Sequence, residues 1–329
     1  MKKISVAIVG ATGMVGRSFI KVLEEKNFDI ENLYFYASER SEGQTLKYKD
    51  QEITVLKLCE QNIIGKKIDF AFFSAGGNIS LEYANIFKKY GAVVIDNSSA
   101  LRMNDTVPLV VPEVNPEDAF KHSGIIANPN CSTIQCTLPL KALSDIFGLK
   151  RVLFTTFQAV SGSGMKGVKD LEKTTLGETP QFYPHPIYNN CLPHIDVFLE
   201  NGYTKEEMKM VNETRKILAL PNLPISATCV RVPVLNSHSI EIVAELEKNF
   251  EMSEVIDALK SFKNIILLND SEKNIYPLCT LATGRDEVLV GRVRRDLSII
   301  NSVRMFCVAD NIRKGAASNA IQIMELFIK

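Results

Sequence analysis

The sequence has no long hydrophobic run, which argues against a membrane protein. Within its 329 residues, no stretch approaches the roughly 18 consecutive apolar residues that suggest a membrane-spanning helix. The apolar run in the N-terminal MKKISVAIVGATG soon meets glycines and lacks a small-residue cleavage site, so we expect neither a signal peptide nor a span. These features lead us to expect a cytoplasmic protein.

The chain also has no excess of either charge, because 38 lysines and arginines balance 38 aspartates and glutamates. No overall field would attract nucleic acid or an anionic membrane, so we expect neither partner, and any anion site must be local. The seven cysteines contain no CxxC pair and the four histidines lack metal-ligand spacing. This pattern argues against a disulfide framework and against a metal site, and favours a reducing compartment.

The first third of the chain alternates apolar runs with helical segments, which predicts a Rossmann-type, doubly wound parallel sheet. The run ISVAIVG (4–10) is unbroken, as expected of a strand buried on both faces. Further strands are predicted at 32–38, 68–77, 92–99 and 124–130, with helices at 14–25 and 80–91.

After about residue 150, longer β-branched runs and fewer helices predict a second α+β domain with a mixed sheet and helices on one face. A Thr-x-x-Glu capping box begins a helix predicted at 204–218. Near the C-terminus, four apolar residues are spaced as on one face of a helix: Ala316, Ala320, Met324 and Phe327. The chain length also suits two domains.

Three glycines, Gly10, Gly13 and Gly16, follow the first strand and lead into the first helix. Glycine allows a tight turn and close approach of backbone to phosphate, and a helix N-terminus offers free N–H groups. Glycines that serve only helix–strand packing are the alternative, but the position after an N-terminal buried strand favours dinucleotide binding. The residues expected to contact the dinucleotide are Gly10, Thr12, Gly13, Met14 and Val15.

The end of the second strand, ASERSEG (37–43), bears on which dinucleotide binds. An acidic residue there favours a ribose hydroxyl, whereas an arginine accommodates a 2′-phosphate. Glu39 is present, but Ser38, Arg40 and Ser41 together make a better phosphate site than a diol site. The segment therefore favours NADP, with an ordinary exposed charged turn as the alternative.

The segment NPNCSTIQC (128–136) places Cys131 at a predicted helix start, with Asn128 or Asn130 as the cap. Pro139 is expected to bend the helix or end it early. The positive end of a helix dipole lowers a thiol pKa, so Cys131 is a candidate nucleophile. An inert structural cysteine remains the alternative on these residues alone. Cys136, Cys59, Cys191, Cys229, Cys279 and Cys307 are interpreted as inert.

A thiolate nucleophile and a nicotinamide in one chain indicate oxidation or reduction of an aldehyde or acyl group through a thioester. The segments GATGMVG, DNSSALRM, VVPEVN, NPNCSTIQ, FQAVSGSG, CVRVPVLNSHS and DNIRKGAASNAIQI occur in order across nearly the whole chain. Together they resemble the aspartate-β-semialdehyde dehydrogenase family. The resemblance implies reversible, NADP-dependent reductive dephosphorylation of L-aspartyl-4-phosphate to L-aspartate-4-semialdehyde. It also implies a homodimer in the pathway to threonine, methionine and lysine, including diaminopimelate.

The resemblance further implies roles for individual residues. Cys131 is the nucleophile, Gln158 orients the acyl group, and His238 is the general acid or base, with a reference pKa near neutrality. The substrate and its phosphate are expected to bind Arg102, Lys216, Glu213, Arg231 and Asn130. The nicotinamide is expected near Ser161, Gly162 and Asn311. Without the resemblance, Glu213 and Lys216 would be interpreted as an exposed ion pair, and His238, Gln158 and Arg231 as structural residues.

These roles imply a dinucleotide-binding domain of residues 1–130 and 311–329 and a catalytic and dimerisation domain of residues 131–310. Two other functions are possible. A related reductase acting on N-acetylglutamyl phosphate is one, although its uncharged acetylated nitrogen would leave Glu213 without a partner. A dinucleotide-sensing module without turnover is the other, and it would leave Cys131 and His238 unused.

Overall fold

A computed structural model describes residues 3–328 of the protein. The backbone divides into two compact units: the first contains the residues up to Asn130 and those from Ala316 onward, and the second runs from Cys131 to Gly315. The first unit is thus interrupted after Asn130 and resumes at Ala316, whereas the division inferred from sequence resumes at residue 311. Residues 1, 2 and 329 of the predicted first domain lie outside the described residues.

The first unit is built on a seven-stranded sheet with the order β3-β4-β2-β1-β5-β6-β7. Its strands are β1 (Ile4–Val9), β2 (Ile30–Ala37), β3 (Thr45–Tyr48), β4 (Gln51–Lys57), β5 (Phe70–Phe73), β6 (Val93–Asp96) and β7 (Ile125–Ala127). All neighbouring pairs are parallel except β3 and β4. The doubly wound parallel sheet predicted from sequence is confirmed, with an antiparallel edge hairpin that the sequence pattern did not indicate.

Helices cover this sheet and complete its core. They are α1 (Met14–Lys26), α2 (Gly77–Lys89) and α8 (Ser318–Ile328). Every residue of β1 is buried, as its unbroken apolar run predicts. Apolar residues of α1 and α8 join β1 in one hydrophobic cluster, so the C-terminal helix belongs to the first unit.

The second unit contains a six-stranded mixed sheet with the order β11-β12-β13-β10-β8-β9. Its strands are β8 (Leu149–Gln158), β9 (Ile225–Arg231), β10 (His238–Leu246), β11 (Ile265–Leu267), β12 (Val288–Arg295) and β13 (Ser302–Ala309). Its helices are α3 (Cys131–Phe147), α4 (Met165–Thr175), α5 (Lys205–Ile217), α6 (Met252–Ser261) and α7 (Cys279–Ala282). Parallel β8–β9 and β11–β12 pairs combine with antiparallel β8–β10, β10–β13 and β12–β13 pairs, which confirms the predicted mixed sheet.

Helix α3 begins at Cys131, as predicted, and the structure decides two details that the sequence left open. The helix continues through Pro139 to Phe147, so the proline does not end it early. The Asn128 side chain is not a cap, because it donates to Asn97 Oδ1 (2.8 Å) and accepts from Asn319 Nδ2 (2.7 Å). These partners are distant in sequence, so no local pattern could reveal them.

Helix α5 shows the predicted capping box. The Thr204 side chain accepts from the backbone N–H of Glu207 at 3.3 Å, and the Glu207 carboxylate accepts from the N–H of Thr204 at 2.7 Å. Both bonds satisfy N–H groups that a helix start otherwise leaves unpaired. The helix start is thereby fixed by its own sequence.

Candidate active site

A cavity of about 380 Å³ lies beside the glycine loop of the first unit. Four of the predicted cofactor-binding residues line it: Gly10, Thr12, Gly13 and Ser38. Met14 and Val15 form the first turn of α1, whose start has no side-chain cap. An uncapped helix N-terminus at a cavity is a favourable site for an anionic phosphate. Sequence reasoning missed other residues that line this cavity, namely Ser74, Ala75, Ile79, Glu82 and Tyr83.

The three glycines of the loop serve different purposes. Gly10 has a φ of +88°, and a Cβ there would lie 2.5 Å from the Ser74 carbonyl oxygen. A Cβ on Gly16 would lie 2.2 Å from the Gly10 oxygen, so Gly16 is required for packing of α1 against the loop. Gly13 is less confined, with the same oxygen 3.4 Å away. Gly16 is therefore explained by helix packing and Gly10 by the tight turn. Gly13 lines the cavity, where it can contact a ligand.

The charged turn after β2 places its acidic residue in an ion pair. The Glu39 carboxylate lies 2.8 Å from Lys57 Nζ, and this hydrogen bond lowers the pKa of Glu39. Arg40 and Ser41 belong to the same short 3-10 helix, Glu39–Ser41, and Ser41 Oγ lies 3.5 Å from Thr12 Oγ1 of the glycine loop. Lys57 thus offsets the negative charge that would oppose a 2′-phosphate.

Arg102 lies at the carboxyl edge of the parallel sheet, as predicted. The residue is buried, and its guanidinium donates to the carbonyl oxygens of Asn97 (2.9 Å) and Asn128 (3.0 Å). Burial raises the pKa of nearby Asp96, although hydrogen bonds from serines and the charge of Arg102 oppose that rise. The carboxyl ends of parallel strands are where such sheets bind ligands. Asn130, also buried, ends the first unit.

In the second unit, three predicted residues meet at one edge of the mixed sheet. Gln158 ends β8 and Arg231 ends β9, and the two are paired across these parallel strands. His238 begins β10, which runs antiparallel to β8, so its first residue lies at the same edge. All three side chains are buried. The topology of the sheet therefore gathers residues that are far apart in sequence.

Arg231 and His238 both lie close to Gly162, which has no side chain. A Cβ on Gly162 would lie 3.1 Å from Arg231 Nη1 and 3.2 Å from His238 Nε2. Burial and, secondarily, the positive charge of Arg231 lower the pKa of His238 to about 3. The imidazole is therefore neutral at physiological pH.

Cys131 is partly exposed at the start of α3, and the first turns of this helix are tied to the His238 strand. Gln135, one turn after Cys131, donates from Nε2 to the His238 carbonyl oxygen at 3.0 Å. Gln135 is fully buried. Sequence reasoning did not assign it a role, although its spacing of four residues from Cys131 places both on one helix face.

The other cysteines differ from Cys131 in their surroundings. Cys136, Cys229 and Cys307 are buried, and burial raises the pKa of the first two thiols. Burial also raises the pKa of Cys279. A raised pKa lowers the thiolate fraction, so these thiols are poor nucleophiles.

The carboxylate of α5 that contacts Gln158 is Glu206, two helical turns before the predicted Glu213. Gln158 Nε2 donates to Glu206 Oε1 at 3.3 Å, and Lys209 Nζ lies 2.9 Å from Glu206 Oε2. Burial would lower the pKa of Lys209, but Glu206 and Asp196 outweigh it and raise that pKa. Glu213 is buried and Lys216 is partly buried. They lie about 10 Å farther along α5 than Glu206 and Lys209.

The residues predicted near the nicotinamide also lie at this edge of the second unit. Ser161 and Gly162 belong to a short 3-10 helix after β8, and Asn311 follows β13. Ser161 Oγ lies 3.0 Å from Asn311 Nδ2, and the Asn311 Oδ1 accepts from the backbone N–H of Ser237 at 2.9 Å. Asn311 thus supports the residue that precedes His238.

Residues 3–328 contain neither a candidate membrane-spanning helix nor a candidate metal cluster. None of their helices combines the length and the apolar character needed to cross a membrane. In the same range, no three His, Cys, Asp or Glu side chains are grouped so that they could hold a metal ion.

Comparison with known proteins matches both halves of the chain to one family. The protein-family model described as semialdehyde dehydrogenase, NAD binding domain, matches residues 5–122. A second family model, described as semialdehyde dehydrogenase, dimerisation domain, matches residues 140–314. The aspartate-semialdehyde dehydrogenase of Aquifex aeolicus is 55% identical over 333 residues, which cover 98% of this chain and 98% of that relative.

Solved structures agree with this family assignment. The aspartate semialdehyde dehydrogenase II of Vibrio cholerae complexed with ASA has a TM-score of 0.94 at 41% identity, with 100% of this chain and 99% of that chain covered. The enzyme of Candida albicans with NADP has a TM-score of 0.78 at 25% identity, with 99% of each chain covered. The chain therefore belongs to the aspartate-semialdehyde dehydrogenase family.

Proposed function

We propose that this enzyme uses NADP and a Cys131 thioester to convert L-aspartyl-4-phosphate reversibly to L-aspartate-4-semialdehyde. The observation that carries the proposal is that Gln158, Arg231 and His238 meet at one edge of the mixed sheet, with Arg231 Nη1 and His238 Nε2 both close to Gly162. A guanidinium beside a neutral imidazole suits a substrate that has both a carboxylate and a reactive carbonyl oxygen. Gln135 ties the helix of Cys131 to the same strand as His238.

The protein's own groups account for the first half of the reaction. Cys131 attacks the acyl carbon as a thiolate, because a helix N-terminus favours the ionised thiol. The bond to phosphate breaks, and the enzyme holds a thioester. Gln158 orients the acyl group, and His238, the predicted general acid or base, faces the reacting oxygen. A bound nicotinamide would supply the hydride that reduces this thioester.

Substrate recognition in this proposal depends on charge. Arg231 takes the α-carboxylate by a two-pronged bond. Arg102 contributes a buried guanidinium at the phosphate, with a lysine of α5 as the second cation. For the substrate ammonium we propose Glu206 in place of Glu213, because Glu206 is the carboxylate in contact with Gln158. By the same reasoning we propose Lys209, in place of Lys216, as the second cation at the phosphate, since Lys209 is paired with Glu206.

The cofactor proposal is NADP, bound with its phosphates at the uncapped start of α1 and its 2′-phosphate near Ser38, Arg40 and Ser41. The ion pair of Glu39 with Lys57 supports this preference, because it removes a repulsive charge. The Candida albicans relative contains NADP. Ser161, Gly162 and Asn311 are the proposed nicotinamide contacts.

We also propose a homodimer formed through the second unit and a cytoplasmic location. The family description of residues 140–314 as a dimerisation domain supports the dimer. Large apolar side chains of this unit are exposed, among them Val197, Phe198 and Leu235, and such residues are typical of subunit interfaces. Sedimentation of the purified enzyme tests the proposal, and a monomer at micromolar concentration would contradict it.

The deciding experiment follows phosphate-dependent reduction of NADP with L-aspartate-4-semialdehyde. We expect reduction that requires inorganic phosphate and that is slower with NAD. The N-acetylglutamate semialdehyde should react poorly, because its acetylated nitrogen carries no charge for Glu206. Faster reaction with that compound would favour the related reductase, and cofactor binding without turnover of either aldehyde would favour a sensing module.

A further inference from the structure

We infer that Asp310 is a positioning residue of the active site, whose buried carboxylate holds the turn that carries Asn311 and Gly315. Asn311 is a proposed contact of the nicotinamide, and a Cβ on Gly315 would lie 2.7 Å from the Cβ of Cys131, the proposed nucleophile. This role rests on the proposed function, since Asn311 and Cys131 take their parts from it. Asp310 acts through these neighbours and has no part in the chemical steps.

Asp310 lies at the edge of the mixed sheet where the predicted catalytic residues gather. It follows Ala309, the last residue of β13, and Ala309 is paired with His238 in the antiparallel ladder. Only 3% of Asp310 is exposed. A charged carboxylate buried to this extent is costly unless hydrogen bonds replace those that it made to water. The groups that bond to Asp310 therefore indicate what the residue holds in place.

Each oxygen of the Asp310 carboxylate accepts two hydrogen bonds, and all four donors are N–H groups. Oδ1 accepts from the backbone N–H groups of Ile312 (2.9 Å) and Arg313 (3.1 Å). Oδ2 accepts from the backbone N–H of Gly284 at 2.8 Å and from Asn236 Nδ2 at 2.9 Å. Hydrogen bonds to an ionised carboxylate are stronger than those between neutral groups. One side chain thus joins three segments that are remote from one another in sequence.

The bonds at Oδ1 shape the turn that leads to Gly315. The backbone of Asp310 takes part as well, since its carbonyl oxygen accepts from the Gly315 N–H at 3.0 Å. The turn is therefore bonded to Asp310 through both the side chain and the main chain. Gly315 could move relative to Cys131 only if several of these bonds were lost, so Asp310 fixes the packing around the proposed nucleophile.

The bond from Asn236 to Oδ2 fixes the orientation of an amide that contacts Ser161. A carboxylate oxygen can only accept, so Asn236 turns its NH2 group toward Asp310 and its Oδ1 toward Ser161 Oγ, which lies 3.0 Å away. On the other side, Ser161 Oγ lies 3.0 Å from Asn311 Nδ2. Asn311 Oδ1 in turn accepts from the N–H of Ser237 at 2.9 Å. Ser161 is therefore held from two sides, and both supports begin at Asp310 or at the residue after it.

Only a carboxylate can satisfy the four donors around Asp310. Asparagine has nearly the same size and shape, but its amide has a single oxygen, and its NH2 group would face two of the four N–H groups. At least one buried backbone N–H would then lose its acceptor, which is costly. Asp310→Asn should therefore loosen the turn without creating a cavity.

Asp286 offers a matched control on the same turn. Its carboxylate lies 3.0 Å from Arg313 Nε, and it is more exposed than Asp310. An ion pair at such a site contributes little to stability. Asp286→Asn thus makes the same chemical change beside the same turn and leaves the four N–H bonds of Asp310 in place.

Titration of the complete enzyme with two ligands tests the role of Asp310 without turnover. NADPH contains the nicotinamide, whereas 2′,5′-ADP contains only the adenosine half with its 2′-phosphate. In Asp310→Asn we expect Kd for NADPH to rise by about fivefold or more, because one buried donor loses its partner at the nicotinamide contacts. We expect Kd for 2′,5′-ADP to change by less than about twofold, and Asp286→Asn to resemble the wild type with both ligands. An unchanged Kd for NADPH, or an equal loss of affinity for the two ligands, would overturn the inference.

A milder variant covers the case in which Asp310→Asn does not fold. Asn236 is only partly buried, and Asn236→Ala removes one of the four donors together with one support of Ser161. We expect the same selective loss of affinity for NADPH, by about twofold to fivefold. Unchanged binding of NADPH in this folded variant would contradict the inference.

Hydrogen exchange of the free enzyme separates this inference from the proposed function, because it needs neither cofactor nor substrate. Peptides that contain Gly284, Ile312 and Ser237 should exchange slowly in the wild type and in Asp286→Asn, and faster in Asp310→Asn or Asn236→Ala. Equal exchange in all four proteins would show that Asp310 does not hold the turn. If the wild type bound no NADPH, the proposed function would fail, and the exchange rates would still decide whether Asp310 holds this turn.

Discussion

Gly315 lies against Cys131, the proposed nucleophile, so closely that a Cβ built on Gly315 would stand 2.7 Å from the Cys131 Cβ. Gly315 belongs to a π-helical turn, Arg313–Ala317, and its N–H donates to the Asp310 carbonyl oxygen at 3.0 Å. Such turns are frequent at functional sites. The absent side chain therefore leaves the room in which the proposed nucleophile stands.

Replacing Gly315 with alanine should impair catalysis because Cys131 must move. We expect kcat to fall by about tenfold to a hundredfold, since a small misplacement of a reacting group has an effect of this size. Overpacking should also lower the free energy of unfolding by about 1–3 kcal/mol. Steady-state kinetics and urea unfolding measure the two effects. Full activity in a folded Gly315→Ala enzyme would contradict the prediction, because it would show that Cys131 accommodates the added methyl group without loss of function.

Substitution of the proposed nucleophile, Cys131, should abolish the chemical step without preventing cofactor binding. Cys131→Ser should abolish turnover and leave NADP binding nearly unchanged, because serine is not ionised at neutral pH. Cys191→Ser is the matched control, since Cys191 is exposed and has no proposed role. Activity and cofactor titration are the measurements. A fully active Cys131→Ser enzyme would exclude the thioester.

Alkylation provides a second test of the thiolate. We expect iodoacetamide to modify Cys131 at least about tenfold faster than Cys191, because a helix N-terminus favours the thiolate form of a cysteine, whereas Cys191 lies outside any helix. Buried Cys136, Cys229 and Cys307 should react last. Mass mapping after short exposure gives the order, and equal labelling of Cys131 and Cys191 would contradict the prediction.

Glu206 and Glu213 of α5 are the alternative candidates for binding the substrate ammonium, and a pair of variants distinguishes them. Glu206→Gln should raise KM for L-aspartate-4-semialdehyde by about tenfold or more, because a neutral amide loses the charged bond to the ammonium. Glu213→Gln is the matched control and should change KM less. Steady-state kinetics of both variants give the two KM values. A larger increase in Glu213→Gln than in Glu206→Gln would restore the assignment of Glu213 made from sequence.

Asp170 should stabilise the second unit in a pH-dependent way. Its buried carboxylate accepts from the N–H groups of Gln181, Phe182 and Tyr183 at 2.8–2.9 Å. Burial alone would raise the pKa of Asp170, but these bonds lower it overall. The stabilisation is therefore present above the unfolded pKa of about 4 and is lost as the pH falls through the lower folded pKa.

Asp170→Asn should accordingly lower the free energy of unfolding at neutral pH by about 1–3 kcal/mol. The difference from the wild type should shrink in acid. Asp105→Asn, at an exposed site, should have little effect. Urea unfolding over a pH series is the measurement, and a difference that grows in acid would have the wrong sign.

The ion pair beside the glycine loop leads to a prediction on cofactor choice. Arg40→Gln should raise KM for NADP by about tenfold or more and KM for NAD much less, because only NADP carries the 2′-phosphate. Lys57→Gln should act in the same direction more weakly, since it leaves the Glu39 charge unpaired. Kinetics with both dinucleotides measure the effect, and equal changes for the two cofactors would contradict it.

Local signals made much of the fold predictable. The apolar run of β1, the glycine turn after it, and the Thr204–Glu207 capping box each depend on neighbouring residues, and the structure has all three. The start of α3 at Cys131 was predicted on the same basis. Of the two residues predicted as its cap, Asn128 instead bonds with Asn97 and Asn319, and the partner Asn319 is remote in sequence.

The sequence by itself determined five of the seven strands of the first sheet, the glycine turn and the position of the candidate nucleophile, since short-range backbone preferences and apolar periodicity act within a few residues. Only the tertiary structure decided which side chains meet. Glu206 and Glu213 lie on one face of α5, and it is the register of β8 that brings Gln158 to Glu206. The order of strands likewise places His238 opposite Ala159, because hydrogen bonds between strands relate residues that no local pattern connects.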